Sequence, residues 1–156
     1  MKRGRRKVGP GVVIRQATPA DAKEMWMLER SVAREGVLWG EVPTTRAAVK
    51  SRIGPLAFVA EVNGRLVGHV YGVVRKPEKY CVFRKGERFV ELDAAYIRRG
   101  WRGRGVGTLL VRRLIREARK RGFRRFLVYT ANKELERAIR FYRGAGFRTW
   151  CANLFI

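Results

Sequence analysis

The chain has 156 residues, 46% of them hydrophobic, which suits one domain around a single core and excludes disorder in bulk. Its charge is lopsided, 36 Lys plus Arg against 13 Asp plus Glu for a formal +23, so its field attracts polyanions. Two cysteines, Cys81 and Cys151, without a Cys-x-x-Cys pair, and a single histidine, His69, argue against a metal site.

No apolar run approaches the roughly 18 residues of a membrane helix. The N-terminus is basic but has no apolar signal core behind it. The expectation is a soluble, cytoplasmic protein with two thiols rather than a disulfide, and no membrane partner.

In chain order, residues 1–11 read as a flexible basic tail with five Lys/Arg in the first seven positions, and 12–156 as one domain. Val12, Val13, Ile14 and Arg15 form a first strand. Thr18 caps a helix with Pro19 in its first turn, and Ala22, Met25, Trp26, Leu28, Glu29 and Val32 carry it to about Glu35. An aromatic-bearing loop over residues 37–43 leads to a short helix capped by Thr44 or Thr45. Two alternating runs joined by Asn63-Gly64 predict a hairpin. Cys81 to Phe83 and Phe89 to Ile97 read as one interrupted strand.

Residues 91–121 stand out. Leu92 to Ile97 is a half-buried strand with Glu91 and Asp93 alternating into it. Four glycines follow within eight residues, Gly100, Gly103, Gly105 and Gly107, before a helix with Val106, Leu109, Leu110, Leu114 and Ile115 at helical spacing. A helix's first turn leaves N–H groups unpartnered under a positive dipole end, and glycines let a phosphate approach the bare backbone. Arg102 to Thr108 therefore reads as a pyrophosphate cradle. No Gly-Lys-Ser/Thr closes it as in a P-loop, and no Gly-x-Gly-x-x-Gly marks a dinucleotide fold. The chain continues with a short strand at Phe126 to Tyr129, a helix from about Lys133 to Arg143, and a final strand from Phe147 to Phe155.

Arg102-Gly103-Arg104-Gly105-Val106-Gly107 resembles the Arg/Gln-x-x-Gly-x-Gly/Ala signature of the GNAT N-acetyltransferase superfamily. The run from Ala138 to Phe147, Ala-Ile-Arg-Phe-Tyr-Arg-Gly-Ala-Gly-Phe, is similar to that family's Ala-x-x-Phe-Tyr-x-x-x-Gly-Phe segment. The resemblance covers residues 12–156. It implies an α/β (α+β) fold of six to seven strands, mostly antiparallel, with a central splayed parallel pair and about four helices. It further implies acetyl-coenzyme A as co-substrate and an amine acceptor, protein-borne or small, without a metal.

Residue by residue, the resemblance puts the pyrophosphate on Arg102, Gly103, Arg104, Gly105, Val106, Gly107 and Thr108, and pairs pantetheine with Ala95, Tyr96 and Ile97. Tyr142 matches the family's general acid, and Glu91 aligns with a strand position that serves as base in some members. Asp93 shares the face of Glu91, and Glu35 and Glu41 are further carboxylate candidates. Where the family carries a cofactor-contacting asparagine, this chain has Leu135; the nearest asparagine, Asn132, is the candidate for that cofactor contact. Arg99 stands where many relatives have proline. Trp39 and Trp101 are candidates to line the acceptor site, and His69 reads as a packed histidine. From Arg98 to Arg125 there are twelve basic residues and one acid, Glu117. That excess keeps two further readings in view, a nucleic-acid-binding module on a non-catalytic form of the same fold and an enzyme whose amine acceptor is carried on nucleic acid. A nucleic-acid or acidic partner is expected, and the chain as a monomer or homodimer.

Overall fold

In the computed structural model the described residues are 11–38, 45–77, 82–130 and 132–151. The elements are β1 (Val12–Gln16), α1 (Ala22–Arg34), α2 (Arg46–Ser51), β2 (Ala57–Val62), β3 (Arg65–Arg75), β4 (Phe89–Ile97), α3 (Val106–Lys120), β5 (Phe126–Val128) and α4 (Leu135–Gly144). Short 3-10 turns at Pro19–Asp21 and Arg99–Trp101 lead into α1 and towards α3.

Local chemistry explains most of these boundaries. The Thr18 N–H donates to Asp21 Oδ2 at 2.7 Å at the entrance to α1. Thr45 caps α2 by accepting the Ala48 N–H at 3.1 Å. Asn63 and Gly64 both take positive φ, 48° and 72°, as a two-residue hairpin of matching twist requires. Gly122 ends α3 at φ 88°, where the Phe123 N–H returns to the Ala118 carbonyl at 3.0 Å.

The sheet has the order β1-β2-β3-β4-β5, antiparallel except for the β4–β5 pair. One face packs α3: Phe58, Val70, Val90 and Leu92 meet Leu110, Val111, Leu114 and Ala118. The other packs α1 and α2: Val59, Leu66, Tyr71 and Ala94 meet Met25, Leu28, Val32 and Val49. Two bulges reset the alternation. Pairing skips Val67 on β3 and Asp93 on β4, so Val90 and Leu92 face α3 while Ala94 and Tyr96 face α1 and α2.

Several sequence expectations are corrected. Val82 and Phe83 are not strand; β4 begins at Phe89, and Cys81 lies outside the described residues. Residues 147–151 are not strand either, and the rest of that expected strand is likewise outside. The described residues form five strands, and the expected splayed parallel pair is β4 with β5. An alternating run makes a strand only where a neighbour takes up its hydrogen bonds, and neither segment has one among the described residues. Residues 1–10 are also outside.

Candidate active site

The central feature is a fork. Parallel pairing of β4 with β5 stops at Leu92 opposite Val128, but β4 continues to Ile97. The bulge at Asp93 sits where the two strands part, and a bulge bends its strand and increases local twist. Beyond it the Arg98 N–H bonds to Val67 on β3 at 2.8 Å. By strand alternation, the backbone groups of Ala95 and Ile97 then point away from β3, into the open side. The Ile97 carbonyl is taken there by Arg102 Nε at 2.9 Å. The amide and carbonyl of Ala95 and the amide of Ile97 form the edge an extended ligand can pair with.

That edge runs directly into the glycine turn. Gly103 (φ 74°) and Gly105 (φ 84°) occupy left-handed backbone that bulkier residues enter only at a cost of about 1–2 kcal/mol. Gly105 is the N-cap of α3 and offers no side-chain acceptor, so the N–H groups of Val106, Gly107 and Thr108 have no intrahelical partner. Val106 itself is buried, and the Leu109 N–H makes the first helical bond, to the Gly105 carbonyl at 3.1 Å. Gly107 is glycine for a different reason: a Cβ there would lie 3.2 Å from the Phe141 ring and 3.5 Å from Ile97 Cγ1. Any side chain there requires the Phe141 ring to give by a few tenths of an ångström, so packing of α4 against the turn, and not ligand approach alone, bears on this glycine. The open edge, the uncapped amides and the glycine-rich turn fit an extended pyrophosphate-bearing ligand.

Arg102 and Arg104 have different jobs. Arg102 makes a fork with Glu35 at the end of α1, at 2.5 and 3.0 Å, so it clamps α1, β4 and the turn together. Arg104 is exposed and stacks 5.1 Å over the Trp101 ring, beside any anion held by the turn. Arg99 lies in the 3-10 turn that precedes it. A bridge between Leu38 and Asn132 and the Lys133 N–H to Val37 carbonyl bond (2.8 Å) bring the end of α1 to the start of α4. Asn132 Oδ1 accepts the Glu134 N–H at 2.8 Å, which uses it to order the entrance to α4.

Tyr142 is packed edge-on against Phe141 (4.9 Å) and Phe147 (5.8 Å). Burial pushes its phenol up to about 12. Tyr96 is likewise pushed up to about 12, chiefly by burial and then by Glu29.

Of the carboxylates, Glu91 pairs with Arg75 at 3.2 Å and sits opposite Leu127, in the still-paired part of the fork. Asp93, on the bulge, pairs with Arg52 at 3.3 Å. Glu41 and Trp39 lie outside the described residues.

Behind Asp93 lies a group of buried polar residues that sequence reading did not assemble. Arg52 donates to the Tyr71 hydroxyl at 2.9 Å, and Tyr71 donates to Glu29 Oε1 at 3.0 Å. His69 Nε2 is 3.0 Å from the same oxygen, and Glu29 and His69 are both fully buried. Glu29 Oε2 and His69 Nδ1 have no hydrogen-bond partner among the described residues. His69 also stacks on Tyr71 (5.7 Å) and meets Tyr96 edge-on (5.5 Å). The available signal was Glu29 itself, a carboxylate within the apolar stripe of α1.

Residues 23–147 match the model of the acetyltransferase (GNAT) family. An uncharacterized N-acetyltransferase of Methanocaldococcus jannaschii is 40% identical over 93 residues, 58% of this chain. The match spans only 38% of that relative's length. Among solved structures, an aminoglycoside N-acetyltransferase in complex with CoA superposes with a TM-score of 0.74 at 19% identity, covering 93% of both chains. A ribosomal-protein-alanine N-acetyltransferase from Brucella melitensis superposes with a TM-score of 0.66 at 22% identity, covering 94% of this chain and 99% of that one. At these identities the superpositions establish the fold.

Proposed function

Because the chain belongs to the GNAT acetyltransferase family, we propose that it moves an acetyl group from acetyl-coenzyme A directly to a primary amine. The observation that carries this reading is the continuous path from the open β4 edge at Ala95 and Ile97 into the uncapped amides of Val106 to Thr108. Pantetheine has a strand edge to pair with, and the pyrophosphate has a dipole end to rest on.

The transfer needs a base for the ammonium proton, support for the oxyanion and a donor for the departing sulfur. Tyr142 is the proposed donor. Its phenol at about 12 stands about 3.5 units above an ordinary thiol, so outright transfer to a free thiolate is uphill by roughly 5 kcal/mol. The role that fits is a hydrogen bond that strengthens as negative charge builds on sulfur while the C–S bond breaks. The proton follows as the amine's own is released. Glu91 is the proposed base, acting through water. The bulge supports Asp93 as a second reading, since it places that carboxylate where the strands part.

Acetyl-coenzyme A binding by calorimetry, with turnover across small amines, peptide N-termini and lysine peptides, tests the proposal. Binding with acetylation of at least one amine class is expected. Failure to bind acetyl-coenzyme A overturns it. Comparing Glu91→Gln with Asp93→Asn shows which substitution removes the acid limb of kcat/KM.

A further inference from the structure

We propose that the outer face of α3 binds nucleic-acid backbone independently of sequence. This activity is separate from acetyl transfer and makes no use of the turn. Val106, Leu110, Leu114 and Ala118 point into the core, which leaves Arg112, Arg116, Arg119 and Lys120 exposed along the opposite side. At 1.5 Å per residue the i,i+4 steps from 112 to 116 to 120 are each about 6 Å along the axis, and 119 lies on the same side. These four side chains, with Ile115 and Ala145, line a groove of about 660 Å³.

The cations there are in excess of their local needs. Elsewhere Arg15, Arg52, Arg75 and Arg102 each hold a carboxylate. Among the described residues Arg112 and Arg116 have no carboxylate within 4.0 Å, while Lys120 reaches Glu117 only at 4.0 Å. The helix dipole presents about half a negative charge at this end, which one cation would neutralise. Three of the four remain to be explained.

The lining also selects the class of occupant. A protein partner draws its affinity from desolvated aromatic or apolar anchors, and this groove offers only Ile115 and Ala145. A membrane surface would hold this face by charge alone, at about 1 kcal/mol per cation, because it has no apolar stripe to insert beside the charge. Phosphate backbone needs neither, because guanidinium groups take phosphate oxygens in bidentate pairs and counterion release drives association.

The experiment titrates the full chain with a short mixed-sequence DNA duplex and its RNA counterpart across a salt series. A matched-charge polyglutamate chain serves as competitor. Four phosphate contacts predict a slope of log K against log salt of about −3.6, so affinity should fall roughly a hundredfold between about 50 and 200 mM. Arg112→Glu with Arg116→Glu should flatten the slope by about two and weaken binding more than tenfold. Arg112→Gln with Arg116→Gln should produce a smaller change in the same direction. Lys23→Glu with Arg34→Glu, exposed on α1 and equal in net charge change, should leave most of the affinity in place. Unchanged thermal midpoints check that every variant is folded. The proposal is overturned if the α1 and α3 reversals weaken binding equally, if the α3 reversal has no effect, or if polyglutamate competes as well as the duplex. Loss of acetylation has no bearing on any of these outcomes.

Discussion

The two faces of the sheet are built on opposite principles. On the α3 face the core cluster is apolar, with the Arg113 guanidinium laid over its Phe58 ring, and a contiguous run of backbone groups, residues 103–108, forms the glycine turn beside it. On the α1 and α2 face polar side chains from four elements are drawn together: Glu29, Arg52, Tyr71 with His69, and Asp93. A backbone site tolerates many side chains and fails when a Cβ intrudes. A buried polar network fails when any one member is removed, because its partners are left desolvated and unmatched. The faces should therefore respond differently to mutation.

The largest expected effect lies on the α3 and α4 side. Tyr142→Phe should lower turnover roughly 10²–10⁴-fold with little change in acetyl-coenzyme A affinity, measured by single-turnover rates beside calorimetry. An unchanged chemical rate would return Tyr142 to the core. On the opposite face, Glu29→Ala should cost about 3–5 kcal/mol, since it strips the shared acceptor from His69 and Tyr71. Denaturant titration would read this. Glu29→Gln, which keeps an acceptor oxygen, should cost clearly less. Equal losses would mean that the space filled, and not the network, matters at that position.

A pair of glycine substitutions sharpens the backbone side of the comparison. Gly107→Ala should destabilise by about 1–3 kcal/mol because its methyl group meets the Phe141 ring. Trimming that ring with Phe141→Leu should recover part of the loss. Gly105→Ala carries a left-handed penalty of about 1–2 kcal/mol that no neighbour can relieve, so Phe141→Leu should not rescue it. Rescue of both would dissolve the distinction drawn between the two glycines.

The smallest effect concerns acid stability. The Arg15 guanidinium bonds Asp21 and also holds Glu61, and its hydrogen bonds pull the Asp21 carboxyl down to about 2. A depressed folded value means that the contribution is complete above the ordinary carboxylate range near 4 and is lost as pH falls from there towards 2. Arg15→Gln should lower the thermal midpoint at pH 6 and narrow its difference from the parent below pH 3. A constant difference across that window would rule out Asp21 as the titrating group.

The α3 turn was legible because its signals are local. Glycine spacing, helical periodicity and the Ala138 to Phe147 segment each report on a few adjacent residues, and the matching helices and hairpin duly formed. The reason for Gly107 was not legible, because it depends on a ring from α4. Nor were the bulges at Val67 and Asp93, since alternation within one strand carries no record of how many residues its neighbour spends beside it.

By itself the sequence determined the mixed α/β class, the hairpin, the glycine turn and its helix, since propensity, capping and periodicity act over short stretches of chain. Only the tertiary structure decided which face each β4 residue serves, that Arg102 would clamp Glu35, and that Glu29 would meet His69 and Tyr71 some 40 residues away. Those choices follow from strand register and helix docking. They minimise unpaired buried groups over the whole molecule, and no local stretch encodes that sum.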